Sequence, residues 1–270
     1  MSARLTPVPG VPALLIDPGH RTGERTVIVS DIHLGLGGSP DRPSGPPEGS
    51  GSILAEDLTR IAKAVSADRV LIAGDVKHPI VGTPPALRPV VFDFFGRLLA
   101  DGLATELVLG NHDGGIVPHL PREVEVRPAE GVVRDGIGIF HGHRWPSEAV
   151  LRSPRLVAGH LHPGYRFAPT AEDPVGKRRC WVRAEIPPSP VSRRRSRSTR
   201  VPNAREIVIL PAFNPLAGTE ALNRERPARI RTFLYRRFLT LGTARAYLLD
   251  GTDLGPLPIP RSEPPSPVPA

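Results

Sequence analysis

Five short polar clusters lie between positions 31 and 162: Asp31-Ile32-His33, Gly74-Asp75, Gly110-Asn111-His112-Asp113, His141-Gly142-His143 and Gly159-His160-Leu161-His162. They hold six of the nine histidines in the chain. Imidazole and carboxylate oxygen suit borderline metals such as Mn²⁺, Fe, Zn²⁺ and Co²⁺, and the absence of a thiolate among them argues against a closed structural zinc site. Donors that leave coordination positions open point to metal-ion catalysis. Asp31 and His33, two residues apart at the end of a strand, are expected to share one face and grip one cation. Asp75 follows a glycine that frees the backbone to set a carboxylate at a sheet edge, and its two oxygens can bridge two metals.

The elements that must position these clusters are legible as apolar runs. Strand-like runs at Thr26 to Ser30, Arg69 to Ala73, Glu106 to Leu109, Gly136 to Phe140 and Arg155 to Ala158 each end directly before a cluster. Open α/β sheets place ligand sites beyond the carboxyl ends of their strands, so the clusters are expected to meet in space. Leu54, Leu58, Ile61, Ala62 and Val65 recur at helical spacing, as do Val90, Val91, Phe94, Phe95, Leu98 and Leu99. A second β-rich group comprises Cys180 to Ile186, Glu206 to Leu210 and Ala244 to Leu249, with a helix-like segment from Ile230 to Leu239. The Gly/Pro/Ser-dense span 35–51, the Ser/Arg/Pro span 187–202 and the Pro-rich span 255–270 are expected to be mobile appendages of a single domain, 1–270.

An Asp-x-His pair alone carries little information, but five blocks in this order resemble the calcineurin-like metallophosphoesterase superfamily. Ser30-Asp31-Ile32-His33-Leu34-Gly35, Gly74-Asp75-Val76-Lys77-His78, His141-Gly142-His143, Gly159-His160-Leu161-His162-Pro163 and Pro211-Ala212-Phe213-Asn214-Pro215 resemble, more narrowly, its Icc-like group. That group includes archaeal members and the bacterial DNA-ligase-associated phosphoesterase. The resemblance implies an α/β fold of two packed mixed sheets flanked by helices, a four-layer sandwich. It also implies two divalent metals, with Mn²⁺ first and Fe, Zn²⁺, Co²⁺ or Ni²⁺ as alternatives. Asp31, His33 and His162 would hold the first metal, Asn111, His141 and His160 the second, and Asp75 would bridge. His143 flanks Gly142 as His141 does, and the family pattern favours His141. His112 would then be a general acid beside the leaving oxygen with Asp113 orienting it, a role open to imidazole. Two such metals lower the pKa of a bridging water and bind phosphate oxygens, so the expected reaction is attack of metal-activated hydroxide on a phosphoester.

Lys77, His78 and Arg144 stand beside candidate ligands and could hold a phosphate, although residues beside a motif are as often solvated or paired for structure, and His143 would either support a ligand or face the substrate. A Phe in a loop after a strand is more often a core plug, so Phe213 and Asn214 receive no role. The net charge of +8 favours an anionic substrate, with a phosphodiester of a nucleotide or nucleic acid as the leading reading. Arg193, Arg194, Arg195, Arg197 and Arg200 could track DNA or RNA phosphates, although such a loop is more often simply solvated. The rivals are a phosphomonoesterase, a pyrophosphohydrolase, and a non-catalytic nucleic-acid-binding module stapled by metals. The single cysteine, Cys180, forms no internal disulfide and is expected to be a buried small hydrophobe. With no apolar run of about 18 residues and an N-terminal stretch broken by Pro7, Pro9, Pro12 and Pro18, the expectation is a cytoplasmic protein without a membrane segment.

Overall fold

The computed structural model describes residues 3–20, 23–37, 50–170, 176–186, 204–224, 234 and 242–258. The first sheet runs in sequence order through β1 (Arg4–Pro7), β2 (Leu14–Asp17), β3 (Thr26–Val29), β4 (Arg69–Ile72), β5 (Ala104–Val108) and β6 (Glu125–Arg127). From β3 to β6 it is parallel, with Thr26 opposite Arg69 and Arg69 opposite Ala104. The antiparallel β1–β2 hairpin extends it at one edge.

The second sheet contains β7 (Val132–Arg134), β8 (Ile137–Phe140), β9 (Arg155–Ala158), β10 (Pro163–Arg166), β11 (Lys177–Glu185), β12 (Glu206–Ile209), β13 (Glu220–Ala221), β14 (Arg245–Leu248) and β15 (Asp253–Pro256). Its spatial order is β13-β10-β11-β12-β9-β8-β7, with β14 on β11 and β15 on β14. Here β8, β9 and β12 are parallel neighbours. The fold is therefore an α/β sandwich of two mixed sheets, six and nine strands wide.

Strand alternation decides which side chain enters which layer. Val27, Val29, Val70, Ile72 and Leu107 face outward, where α1 (Ser50–Ala64) and α2 (Arg88–Ala100) cover them with Leu54, Leu58, Ala62, Val91, Phe94, Phe95 and Leu98. Spacings of three and four residues put those helical side chains on one stripe, and each fully buried Leu or Phe adds about 1.5–3 kcal/mol by leaving water. The intervening residues Ile28, Leu71 and Val108 face the second sheet and meet Ile137, Ile139, Val157, Trp181 and Leu210. The far face of the second sheet buries Phe140, Leu156, Ala158, Cys180, Val182, Ile207 and Ile209 under Val150 of the short α3 (Glu148–Arg152) and Leu234. Cys180 is buried as expected, and burial pushes its thiol up to about 12.

Glu106 also points into the inter-sheet layer and is completely buried. It accepts from Arg127 Nε at 2.5 Å on its own sheet and from Arg134 Nη2 at 2.7 Å on the other, with Arg69 Nη1 at 3.9 Å. Arg69 in turn donates to Glu24 and Glu125, each at 2.9 Å.

Short strands account for most departures from the sequence expectation. The β1–β2 hairpin forms despite the nearby prolines because Pro7 ends a strand at the sheet edge, where no ladder amide is required of it. Of the spans expected to be mobile, Ser50 and Gly51 instead open α1 and Gly255 and Pro256 close β15. Residues 38–49, 187–202 and 259–270, and with them the arginine cluster, lie outside the described residues, as does the expected helix at 230–239 apart from the buried Leu234. Among the described residues no helix is long and apolar enough to cross a membrane.

Candidate metal centre

All five clusters sit just past the carboxyl ends of parallel strands: Asp31 and His33 after β3, Asp75 after β4, Asn111 after β5, His141 after β8, and His160 and His162 after β9. The chain leaves β3, β4 and β9 by left-handed turns. Asp31, His33, Asp75, His160 and His162 have φ of +60°, +46°, +57°, +71° and +43°. They are five of the seven described non-glycine residues with positive φ, a region that costs on the order of 1 kcal/mol or more for a residue with a Cβ. This corrects the expectation that Asp31 and His33 converge through strand alternation; left-handed turns aim them. Two glycines make room. A Cβ on Gly74 would lie 2.4 Å from His141 Nδ1, and one on Gly110 would lie 2.2 Å from Asp75 Oδ1.

The ligating atoms of Asp31, His33 and His162 lie within 4.8 Å of one another, as do those of Asp75, His141 and His160. Asn111 joins the latter set, its Oδ1 being 3.2 Å from His141 Nε2. Asp75 Oδ2 stands between the two sets, 3.2 Å from His141 Nε2, 3.9 Å from His33 Nε2 and 3.8 Å from His112 Nε2. His33, His78 and His112 also bring a ring nitrogen each within 4.8 Å of one another.

Hydrogen bonds elsewhere fix what these atoms can offer. His141 Nδ1 donates to the Ala73 carbonyl at 2.8 Å and His162 Nδ1 to the Gly218 carbonyl at 2.9 Å, which leaves both Nε2 atoms as lone pairs facing inward. Asp31 Oδ2 accepts from the Ser30 hydroxyl at 2.5 Å and the His160 amide at 3.1 Å, whereas buried Oδ1 has no donor. Asp31 Oδ1 instead lies 3.1 Å from His162 Nε2, which is itself 3.2 Å from His33 Nε2. Acceptors crowded against acceptors repel unless a cation or a proton lies among them. The donor set of imidazole, carboxylate and amide oxygen fits a divalent ion of the Mn²⁺ to Zn²⁺ series.

Protons must do that work in a metal-free site. Burial disfavours charge on His141, but the Asp75 carboxylate overcomes it and carries the imidazole up to about 9. His162 is raised in the same way, with Asp31 overcoming burial. Burial would raise Asp31 and Asp75, yet His162 beside the first and His141 beside the second hold both below the usual carboxylate range. His33, His143 and His160 are pushed down to about 4, chiefly by burial.

The structure places the remaining expected residues in different roles. His112 is partly exposed, its Nε2 faces the site, and its Nδ1 hydrogen-bonds to the His78 carbonyl. Asp113 does not reach the His112 ring. Its carboxylate accepts from the amides of Gly110, Asp75 and Val76 at 2.8–2.9 Å, so it shapes the turn that presents Asp75. Lys77 is completely buried and donates to the Pro79 and His112 carbonyls, which takes it away from any substrate. His78 is exposed and stacks on His112 at 5.8 Å. His143 lies 5.4 Å from the His141 ring and 6.2 Å from that of His160. Arg144 is paired on the surface with Glu130 at 3.1 Å.

Supporting residues emerge that sequence reasoning did not assign. Ser30 anchors Asp31, and buried Asn214 donates from Nδ2 to the Ile32 carbonyl at 2.9 Å, bracing the Asp31–His33 turn. Arg179 holds the Ala212 and Phe213 carbonyls at 3.0 and 2.9 Å, and the Phe213 amide donates to the Ser30 carbonyl at 2.8 Å. Ser30 and Asn214 stand in the Ser30–Gly35 and Pro211–Pro215 blocks of the sequence, whereas Arg179 stands in none of them.

The calcineurin-like phosphoesterase family model matches residues 24–180, a span that includes all five clusters. No curated protein matches the sequence. Among solved structures, the nuclease MPE of Pseudomonas putida is similar in fold, with a TM-score of 0.53 and 19% identity over 93% of this chain and 100% of that one. YfcE, a phosphoesterase from E. coli, aligns with a TM-score of 0.37 and 15% identity over 87% of this chain and 98% of that one.

Proposed function

Because the chain belongs to the calcineurin-like phosphoesterase family and is a metal-dependent hydrolase, we propose that it works as a dinuclear phosphodiesterase on a nucleotide or nucleic acid. The observation that carries the dinuclear reading is Asp75 Oδ2, set between one ligand cluster and the other within 3.9 Å of both. In this reading Asp31, His33 and His162 would hold one ion and Asn111, His141 and His160 the other, with Asp75 able to serve both. Two divalent ions, Mn²⁺ first, would supply an activated water and neutralise charge on the phosphate.

The chain's own residues orient and protonate. His112, with Nδ1 given to the His78 carbonyl, keeps Nε2 for the substrate. As the oxygen of the attacking hydroxide bonds to phosphorus and the ester P–O bond breaks, a doubly protonated His112 passes its Nε2 proton to the leaving oxygen and is left neutral, with Nδ1–H still on the His78 carbonyl. His78 and His143, on either side of the ligand cluster, are the candidate contacts to the phosphate or its substituents. Arg144 and the arginine cluster at 193–200 are candidates to meet phosphates farther along a strand. A nucleic-acid substrate is supported by the +8 charge.

The test compares metal-stripped and Mn²⁺-loaded protein on a bis-aryl phosphodiester, an aryl phosphomonoester and single-stranded DNA, for wild type and His112→Ala. The expected result is Mn²⁺-dependent cleavage of both the diester and DNA, with His112→Ala losing far more on DNA, whose alkoxide leaving group needs a proton, than on the aryl diester. Preference for the monoester would move the assignment to a phosphomonoesterase, and two bound metals with no hydrolysis would leave a binding module.

A further inference from the structure

Lys77 is the bulkiest side chain among the fully shielded described residues, at 0% exposure. Burying an ammonium costs several kcal/mol, which a methionine of similar volume would avoid. Packing alone therefore does not account for a lysine here. Its Nζ donates to two carbonyls, Pro79 at 2.6 Å and His112, while Asp113 and Asp75 act on it through space. Charge-assisted hydrogen bonds of this kind are roughly twice as strong as neutral ones.

The two carbonyls belong to the two loops that define the candidate acid. One is the carbonyl of His112 itself. The other follows directly after the His78 carbonyl, which receives the His112 ring Nδ1. The same pair of loops is tied again farther out, where Thr83 Oγ1 donates to the Gly115 carbonyl at 2.9 Å. The His112 amide is meanwhile held by Asp75 Oδ1 at 2.9 Å. Every backbone hydrogen-bonding group of His112, and the ring nitrogen turned away from the site, is thus fixed by Asp75, Lys77 or the loop that Lys77 holds.

We propose that Lys77 is a positioning residue for the leaving-group acid: it clamps the His112 loop to the His78–Pro79 loop so that Nε2 stays aimed at the departing oxygen. This rests on the acid role of His112 proposed above. A misaimed acid harms only reactions whose leaving group needs a proton, whereas a loosened metal site harms all of them.

The test measures kcat for single-stranded DNA, whose alkoxide leaving group needs a proton, and for bis(4-nitrophenyl) phosphate, whose leaving group departs readily without one. It uses Mn²⁺-loaded wild type, Lys77→Met, Lys77→Arg, His112→Ala and the Lys77→Met/His112→Ala double variant. Lys77→Met should lose about tenfold or more on DNA and less than about threefold on the aryl diester. It should retain its metal content, Lys77→Arg should recover part of the loss, and Lys77→Met should add nothing in the His112→Ala background. Equal losses on both substrates, no loss on either, or failure of both Lys77 variants to fold would assign the lysine to the scaffold and overturn the proposal. If His112→Ala is itself unselective between the substrates, the acid assignment fails. If His112→Ala is selective and Lys77→Met is not, only the positioning role fails.

Discussion

Glu106, in the middle of β5, and Asp75, just past the end of the neighbouring β4, are both cut off from solvent, and the molecule treats them in opposite ways. Around Glu106 the protein supplies its own counter-charges, from Arg127, Arg134 and Arg69. Around Asp75 Oδ2 and Asp31 Oδ1 it supplies imidazole nitrogens, two of which have spent their protons on backbone carbonyls. A buried carboxylate matched by guanidinium is complete, and removing it leaves charges stranded. A buried carboxylate facing lone pairs is complete only with a cation from outside. The same residue chemistry thus separates a structural site from a functional one.

That contrast can be broken experimentally. The largest effect is expected from Asp75→Ala, which should abolish Mn²⁺-dependent hydrolysis and lower bound metal while the metal-free protein, although it loses the His141 pair and the His112 amide contact, stays folded; metal analysis and calorimetry read both. Glu106→Gln should do the reverse, lowering unfolding free energy by about 3–5 kcal/mol in denaturant titrations and leaving metal per folded molecule unchanged. Loss of metal in that variant would erase the distinction between the regions.

Smaller effects sharpen the picture. Ser30→Ala removes the hydroxyl that anchors Asp31 and should weaken metal affinity by about 10–100-fold in competition with a chelator, without changing the fold. The smallest per unit of perturbation is a proton effect. His141, raised from 6.5 to about 9 in the metal-free fold, gives stability that is full below pH 6.5 and lost as pH rises through 9. A metal must displace that proton, so its apparent affinity should rise across the same window by at most about tenfold per pH unit. Calorimetric titration in buffers of different ionisation enthalpy would detect the released proton, and pH-independent binding would contradict this account.

The clustering of the candidate ligands was legible because their chemistry is carried by residue type and their placement by the apolar runs before them. Val27 to Val29, Val70 to Ile72 and Leu156 to Ala158 read as strands because they are buried on both faces. Weaker signals failed where structure depends on partners far away in sequence. The two-residue strand β13 gains its pairing only from Pro163 and Gly164. Lys77 read as a substrate contact because nothing in its neighbourhood reveals that its partners are two carbonyls, one of them 35 residues away. Asp113 read as the companion of its neighbour His112, whereas its oxygens accept from the amides of Gly110, Asp75 and Val76. Backbone amides and carbonyls are shared by every residue type, so a site braced by them leaves little trace in the letters.

The left-handed turns have a consequence for how this sequence can change. Asp31, His33, Asp75, His160 and His162 each occupy a conformation that glycine tolerates better. In the proposed dinuclear reading, selection for hydrolysis and selection for a robust fold therefore pull against each other at the same five positions. A lineage released from catalysis would gain thermal tolerance by drifting to glycine or asparagine there, and an engineer seeking a tougher version of this enzyme would have to find that tolerance elsewhere.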